Sequence, residues 1–146
     1  MTDDRKEFIF NACVIIASLF ILVSGQLFAQ AMIYLLIQIF GILLITWALI
    51  TIKVSKNHHK HPLPNGSFFL THGPYEIIRH PIYAGFLLIM VSFVEIEFTF
   101  LRLIALAILC TALFLKIVRE EYILSQEIKE YKEYKLKTKA LIPYLL

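Results

Sequence analysis

The sequence predicts an all-α integral membrane protein with about four transmembrane helices, followed by a C-terminal amphipathic helix at the membrane interface. Of its 146 residues, 59% are hydrophobic and only 17% are charged, and the mean hydropathy is +0.74. A soluble domain of this size carries more charge. Two uncharged runs, 20 residues from Phe8 to Leu27 and 22 residues from Ala31 to Ile52, each match the roughly 20 residues that cross about 30 Å of hydrocarbon.

These two runs predict two anchoring helices within residues 1–54. The first run exceeds the roughly 7–15 apolar residues of a signal peptide, so we expect it to remain as an anchor. Two shorter uncharged runs, Ile82–Val94 and Leu103–Leu115, flank a charged turn region and predict a helical hairpin over residues 82–118. With their flanks, the two arms reach about 16 or 17 residues, near the lower limit for spanning. A re-entrant hairpin is therefore the alternative to two full spans.

The distribution of basic residues predicts the orientation. With four spans, Arg102 alone lies on one side of the membrane, and the other Lys and Arg residues lie on the opposite side. By the positive-inside rule, both termini and the loop of residues 55–81 are then cytoplasmic. The net charge of +3 is explained by this topology and by contact with anionic lipid head groups, and we expect no nucleic-acid partner.

The loop and the tail have different patterns within what we interpret as a single membrane-embedded domain, residues 1–146. Prolines and glycines interrupt the loop of residues 55–81 and predict an irregular segment there. In the cytoplasmic tail, residues 119–146, a stripe with spacings of 4, 3 and 3 predicts an amphipathic helix that Pro143 ends. The residues of this stripe are Leu124, Ile128, Tyr131 and Tyr134.

A hairpin over residues 82–118 returns both of its ends to one membrane surface, which brings Arg79-His80 close to the Arg-Glu-Glu run at 119–121. Cationic donors, an imidazole and two carboxylates can together hold a zwitterionic ligand by both of its charges. The alternative is that these residues are interfacial anchors. Two adjacent glutamates at a helix exit are unfavourable near anionic lipid, so the pair indicates a cationic ligand.

Residues 73–85 read GPYEIIRHPIYAG, and residues 119–143 contain an Arg-Glu-Glu run, two spaced tyrosines and an Ile-Pro ending. The first motif is similar to the signature GPY-x-x-x-RHP-x-Y-x-G of the isoprenylcysteine carboxyl methyltransferase family and its phospholipid methyltransferase relatives. The second is similar to the Arg-Glu-Glu, tyrosine-rich, Ile-Pro ending of the same family. The family often has an aromatic residue and a glycine before the tail tyrosine, where this chain has Ile128 and Lys129. The short chain is most similar to the compact prokaryotic type.

The resemblance implies an S-adenosylmethionine-dependent methyltransferase that acts on a lipophilic acceptor in a prokaryotic inner or plasma membrane. It implies a cofactor pocket lined by Tyr75, His80, Pro81, Tyr83, Gly85, Glu120 and Glu121. It also implies three catalytic residues, Arg79, Arg119 and His80, and three residues that contact the acceptor, Arg119, Tyr131 and Tyr134. Methyl transfer from a sulfonium requires alignment and exclusion of water, so we expect no metal. A carboxylate acceptor needs no general base, whereas an amine or thiol would make His80 the candidate proton acceptor.

Several alternatives stay open at this point. The first is an NADPH-dependent sterol or isoprenoid reductase, a family with a similar RHP-x-Y stretch. Against it, the chain lacks an arginine cluster that would bind the 2′-phosphate of NADPH, and the paired glutamates would repel a nucleotide phosphate. The second is a non-catalytic membrane scaffold. His58, His59 and His61 form a possible metal tract, for which a solvated loop is the simpler interpretation. The acceptor is also open: a prenylcysteine carboxylate, a phospholipid amine, an isoprenoid or a thiol.

Overall fold

The computed structural model describes residues 3–25, 31–58, 70–96 and 98–142. Within these ranges the chain forms five α-helices: α1 (Asp3–Val23), α2 (Met32–His58), α3 (Pro81–Ile96), α4 (Phe100–Glu127) and α5 (Tyr131–Lys137). A short 3-10 helix, Gly73–Glu76, precedes α3. The only β-type pairing in the described part is an isolated parallel bridge between Ile78 and Lys139. The prediction of an all-α protein is confirmed.

Three of the helices, α1, α2 and α4, are long and apolar enough to cross a membrane, and α3 is a shorter apolar helix. The 16 residues of α3 rise about 24 Å, which is less than a typical hydrocarbon thickness of about 30 Å. The chain is an integral membrane protein in which three helices have the length of a span. Whether α3 crosses fully, and which side the termini face, stay predictions.

The second arm of the predicted hairpin is much longer than expected. α4 has 28 residues and continues past Val118 to Glu127, because no proline or glycine interrupts this stretch. The helix that was expected to begin the tail is therefore the last part of α4. Only the seven residues of α5 form a separate tail helix, and Pro143 lies outside the described residues.

The predicted apolar stripe nevertheless forms one buried cluster. Ile128, Tyr131 and Tyr134 are buried together, and Leu124 packs against them. The cluster therefore joins the end of α4 to α5 across the short break between the two helices.

The predicted cytoplasmic loop is also partly helical at its start. α2 continues through the basic residues to His58, since the first helix breaker after it is Pro62. The expected irregular structure of residues 59–69, including His59 and His61, lies outside the described residues.

The helices pack as two pairs, α2 against α3 and α1 against α4. Two glycines allow the first pair to approach closely: a Cβ atom on Gly85 would lie 2.7 Å from the Gly41 carbonyl oxygen, and a Cβ on Gly41 would lie 2.7 Å from the Gly85 oxygen. The two pairs meet in an apolar core built from Ala17 and Ile21 of α1, Met90 and Val94 of α3, and Leu109 of α4. This arrangement fixes where the first turns of α3 lie against α4.

Arg102 closes the end of the bundle remote from the signature motifs. It lies in the first turn of α4 and is only 1% exposed. Its Nη2 donates a hydrogen bond of 2.9 Å to the Ile21 carbonyl near the end of α1. A Cβ on Gly25 would overlap the same guanidinium. The only cation predicted on that side is therefore a buried contact between α1 and α4 that satisfies a helix-terminal carbonyl.

Candidate functional site

The first signature motif folds as a turn that leads directly into α3. Gly73 has a φ of 64°, a left-handed conformation that glycine adopts without strain. Pro74 is buried in the 3-10 helix. Pro81 begins α3, at a helix position where its missing N–H leaves no hydrogen bond unmade. The motif is therefore a rigid connection that directs His80 and Tyr83 toward α4.

The tail pairs with this connection through its backbone. The Arg79 N–H donates to the Lys139 carbonyl at 2.8 Å, and the His80 N–H donates to the Ala140 carbonyl at 3.0 Å. The Tyr134 hydroxyl donates to the Tyr75 carbonyl. The tail thus covers the motif. The pairs Tyr75–Tyr134 and Arg79–Thr138 are each 59 residues apart in the chain, and these contacts bring the two segments into one site.

Glu121 is the centre of a saturated ion-pair cluster. Its Oε1 accepts from the Arg79 Nε at 2.6 Å, and its Oε2 lies 2.7 Å from the Lys135 Nζ. The Arg79 Nη1 also donates to the carbonyls of Lys135 and Thr138. The side chains of Arg79 and Glu121 are 9% and 8% exposed. This cluster, the Glu121 cluster, holds the tail against α3 and α4.

Glu120 lies beside this cluster and is more accessible, with a side chain that is 38% exposed. Its Oε1 accepts a hydrogen bond of 2.7 Å from the Tyr83 hydroxyl. His80 stacks against Tyr83 at a centroid distance of 5.6 Å. The His80 Nδ1 lies 3.7 Å from Glu120, and its buried Nε2 lies 3.4 Å from Glu121 and makes no hydrogen bond to the described residues. His80 therefore retains hydrogen-bonding capacity.

Three tyrosines surround the cluster outside the membrane-spanning helices. Burial raises the pKa of Tyr75 and the pKa of Tyr134 to about 12 in each case. Burial and the nearby Glu121 carboxylate raise the pKa of Tyr131 as well. Tyr131 is 2% exposed and packs against Tyr134. All three are neutral at physiological pH and stabilise the tail, and contact of Tyr131 and Tyr134 with an acceptor stays a prediction.

Two of the predicted site residues make contacts outside the Glu121 cluster. Arg119 points to α1, where its Nη2 lies 3.7 Å from a Glu7 carboxylate oxygen, and it lines a small cleft together with Glu120. Gly85 lies at the contact with Gly41 of α2, so helix packing accounts for a glycine there. The residues that do come together are Arg79, His80, Tyr83, Glu120 and Glu121.

Sequence analysis missed the residues that complete the site. Lys135 and Thr138 had no motif to identify them, because their contacts depend on how the tail folds. Asn11 does carry a signal, because a polar residue in an apolar run commonly forms a hydrogen bond between helices. Its Oδ1 accepts a hydrogen bond of 2.8 Å from the Lys116 Nζ.

An apolar cavity of about 530 Å³ lies between α2, α3 and the tail. Trp47 of α2, Leu88 of α3 and Ile142 of the tail are among its lining residues. The polar residues of the site do not line it, but Ile78 and Ala84 do, and these are the neighbours of Arg79 and Tyr83 in the chain. The cavity volume lies in the range of small-molecule sites, about 300–1,000 Å³. The cavity is therefore large enough for an apolar ligand.

The hydrogen-bonding groups of the site suit an organic ligand that carries a positive and a negative charge. Glu120 can accept from an ammonium, and the buried His80 Nε2 can donate to or accept from a polar group. No group of three or more His, Cys, Asp or Glu side chains with metal-binding geometry occurs among the described residues. The chemistry that the site can perform is binding and orientation of charged groups beside an apolar cavity.

One family model matches the chain, that of the isoprenylcysteine carboxyl methyltransferase (ICMT) family, over residues 32–126. The match covers well over half of the chain and includes α2, the first signature motif, α3 and almost all of α4. No curated protein and no solved structure matches the chain. The match ends before Lys135 and Thr138 of the Glu121 cluster, and α1 precedes it. By this match and the membrane helices, the chain belongs to the isoprenylcysteine carboxyl methyltransferase family and is a methyltransferase of membrane-associated substrates.

Proposed function

We propose that the protein transfers a methyl group from S-adenosylmethionine to a lipophilic acceptor at the cytoplasmic surface of the membrane. The family consists of S-adenosylmethionine-dependent methyltransferases. The observation that carries the proposal for this chain is the meeting of His80, Tyr83 and Glu120. In the proposal, this group binds the charged methyl donor, and the apolar cavity of about 530 Å³, whose lining includes Ala84 next to Tyr83 in the chain, binds the acceptor.

The two glutamates have different roles in this proposal. Glu121 already has two cationic partners, Arg79 and Lys135, so it has little capacity for a third cation. Glu120 has a more exposed side chain and a single hydrogen bond, from Tyr83. We therefore assign Glu120 to the ammonium group of the cofactor, and Glu121 to positioning of Arg79 and the tail. The cofactor supplies an electrophilic methyl group on a sulfonium.

We assign His80 to a second polar group of the cofactor or the acceptor, because its Nε2 makes no hydrogen bond to the described residues. Arg79 is held by its contacts with Glu121 and the tail, so its effect on the acceptor is exerted through the position of His80. The tail and the turn of Gly73–Glu76 exclude water from this side of the site. Exclusion of water and alignment are the main requirements of an in-line displacement.

The acceptor binds through its apolar part in the cavity between α2, α3 and the tail. Its nucleophilic atom would accept the methyl group that the bound cofactor supplies, with the cofactor's neutral thioether as the leaving group. A carboxylate acceptor is already ionised at pH 7 and loses no proton in this step. For an amine or thiol, His80 is the candidate proton acceptor. The prenylcysteine carboxylate, phospholipid amine, isoprenoid and thiol classes stay candidates.

Calorimetric titration of the detergent-solubilised protein with S-adenosylhomocysteine tests this proposal. We expect saturable binding by the parent, a loss of affinity of about tenfold or more in Glu120→Gln through removal of a charged contact, and intact thermal unfolding for that variant. Glu121→Gln should instead lower the unfolding temperature. A parent protein that binds NADPH but no S-adenosylhomocysteine would contradict the methyltransferase proposal, and binding of neither would favour a non-catalytic scaffold.

A further inference from the structure

Residues 139–142, here called the strap, contact both the first signature motif and the apolar cavity. The carbonyls of the first two strap residues accept hydrogen bonds of 2.8 and 3.0 Å from the backbone N–H groups of Arg79 and His80. The last two strap residues, Leu141 and Ile142, line the cavity of about 530 Å³. The strap is therefore a direct connection between the polar residues of the site and a cavity that those residues do not line.

The motif side of this connection is equally short. Ile78 forms the parallel bridge with Lys139, is only 4% exposed and lines the cavity. Arg79 and His80 follow it directly in the chain. A displacement of the strap at the cavity would therefore change the backbone that carries His80.

The strap has few contacts of its own. Its first residue, Lys139, is exposed, and the side chain of its last residue, Ile142, is 49% exposed. Its hydrogen bonds to other described residues are the two with the motif backbone. Ordering such a segment costs conformational entropy, and a segment with few buried contacts opens readily. A hydrocarbon chain in the cavity would bury apolar surface against the strap and favour its closed position.

We propose that the strap couples the two regions: a hydrocarbon chain in the cavity holds the strap against the motif and thereby raises the affinity of the polar residues for the cofactor. This coupling rests on the proposed function, which places the acceptor's apolar part in the cavity and the cofactor at His80, Tyr83 and Glu120. A closed strap fixes the backbone of His80 before the cofactor binds, which lowers the cost of ordering the site.

Two further points define the coupling. None of the described residues that line the cavity is charged, so its occupant is the hydrocarbon part of the acceptor without the reactive group. Coupling of binding free energies is reciprocal, so the cofactor raises the affinity for the chain by the same factor. The strap lies beyond residues 32–126, and the match to the family therefore does not itself imply this coupling.

Two titrations of the full-length protein in digitonin, a detergent without a linear chain, test the coupling. The probe is dodecyl methyl ether, a neutral chain without a group that accepts a methyl. Calorimetry gives the affinity for S-adenosylhomocysteine with and without saturating ether. The fluorescence of Trp47, the only tryptophan of the chain and a lining residue, gives the affinity for the ether with and without S-adenosylhomocysteine. We expect each ligand to raise the affinity for the other by the same factor, about fivefold or more. Unchanged affinities would overturn the proposal.

The double variant Leu141→Ala/Ile142→Ala removes the apolar side chains that the strap presents to the cavity. Its affinity for S-adenosylhomocysteine without the ether should match that of the parent, and the factor between the two ligands should fall close to one. Leu44→Ala is the matched control, because it shortens a lining side chain on α2. It should weaken ether binding and keep the factor. A strap variant that binds both ligands with the parent's factor would show that the coupling does not pass through the strap, and the proposal would be wrong.

Trypsin cleavage after the exposed Lys139 tests the strap without the cofactor. Cleavage of a segment that opens and closes rapidly follows the population of its open form, so saturating ether should slow it about fivefold or more in the parent. The same ether should not slow it in Leu141→Ala/Ile142→Ala, and mass spectrometry identifies the cleaved bond. Equal rates with and without the ether in the parent would overturn the proposal. Slower cleavage in a parent that binds no S-adenosylhomocysteine would refute the proposed function, whereas S-adenosylhomocysteine binding that the ether leaves unchanged would refute the coupling alone.

Discussion

Two adjacent glutamates on α4 belong to regions of opposite character. Glu121 is buried, has two cationic partners and joins the tail to the first signature motif. Glu120 is more exposed, has one hydrogen bond from Tyr83 and lines a small cleft with Lys116 and Arg119. A saturated cluster stabilises the fold, whereas a site with unused hydrogen-bonding capacity can bind a ligand. In the proposed function, one residue of the Glu-Glu motif therefore serves structure and the other serves binding, a difference that their shared residue type does not reveal.

Removal of one partner from the Glu121 cluster should produce the largest change in stability. Glu121→Ala leaves the buried Arg79 guanidinium without its carboxylate, and breaking a buried ion pair costs about 3–5 kcal/mol. Glu120→Ala removes one hydrogen bond of a more exposed side chain and should cost about 1 kcal/mol. Thermal or denaturant unfolding in detergent measures both variants. Equal losses would contradict the distinction between the two glutamates.

The double variant Arg79→Met/Glu121→Leu is the matched control for that prediction. It replaces both charges with apolar groups, which is often nearly neutral for a buried pair. We expect it to recover much of the stability that Glu121→Ala loses, although Lys135 then has no carboxylate partner in the cluster. If the double variant is less stable than each of its two single variants, the cluster contributes more to stability than the attraction between its opposite charges.

The sequence predicted the parts of the molecule that depend on hydrophobic length and short connections. Two long apolar runs identified α1 and α2. A hairpin between residues 82 and 118 required the RHP motif and the Glu-Glu pair to meet, and they do meet at His80, Glu120 and Glu121. A helical pattern was predicted after Val118, and α4 continues through that point to Glu127. Charged residues without proline or glycine continue a helix equally well, so the hairpin arm and the start of the tail form one helix.

The rest of the site depended on contacts between distant parts of the chain. Arg79 contacts Thr138 across 59 positions, and Asn11 contacts Lys116 across 105 positions. No local pattern encodes these contacts, since they arise when α1 packs on α4 and the tail returns to α3. Arg79 and Arg119 belonged to one predicted group, but helix geometry turns Arg119 toward Glu7 of α1.

Gly85 tests whether a signature residue serves packing or cofactor binding. In Gly85→Ala the new Cβ would lie 2.7 Å from the Gly41 backbone oxygen, and such overpacking costs about 1–3 kcal/mol. Gly41→Ala creates the same overlap from the other helix and is the matched control. If packing explains Gly85, both variants lose similar stability in unfolding measurements. A loss of S-adenosylhomocysteine affinity in Gly85→Ala alone would assign the glycine to the cofactor.

Tyr134→Phe weakens the contact of the tail without removing a charge. It deletes the hydrogen bond to the Tyr75 carbonyl and should cost about 1 kcal/mol at pH 7. Burial raises the pKa of Tyr134 to about 12, so the folded state favours the neutral phenol. Its contribution is complete below the unfolded pKa of about 10 and is lost as the pH rises toward 12. The free energy of unfolding should therefore depend less on pH between 10 and 12 in Tyr134→Phe than in the parent. Ionisation of Tyr75 and Tyr131 should account for the pH dependence that remains.

Asn11→Leu should have the smallest effect on stability and a selective effect on Lys116. Hydrogen bonds between membrane helices contribute about 0.6 kcal/mol on average, so the unfolding transition should change little. Lys116 would lose its only hydrogen bond to a described residue and become free to reach the interface by extending its side chain. We expect faster modification of Lys116 by an amine-reactive reagent, with unchanged S-adenosylhomocysteine binding. An unchanged rate of modification would show that Asn11 does not hold Lys116 in position.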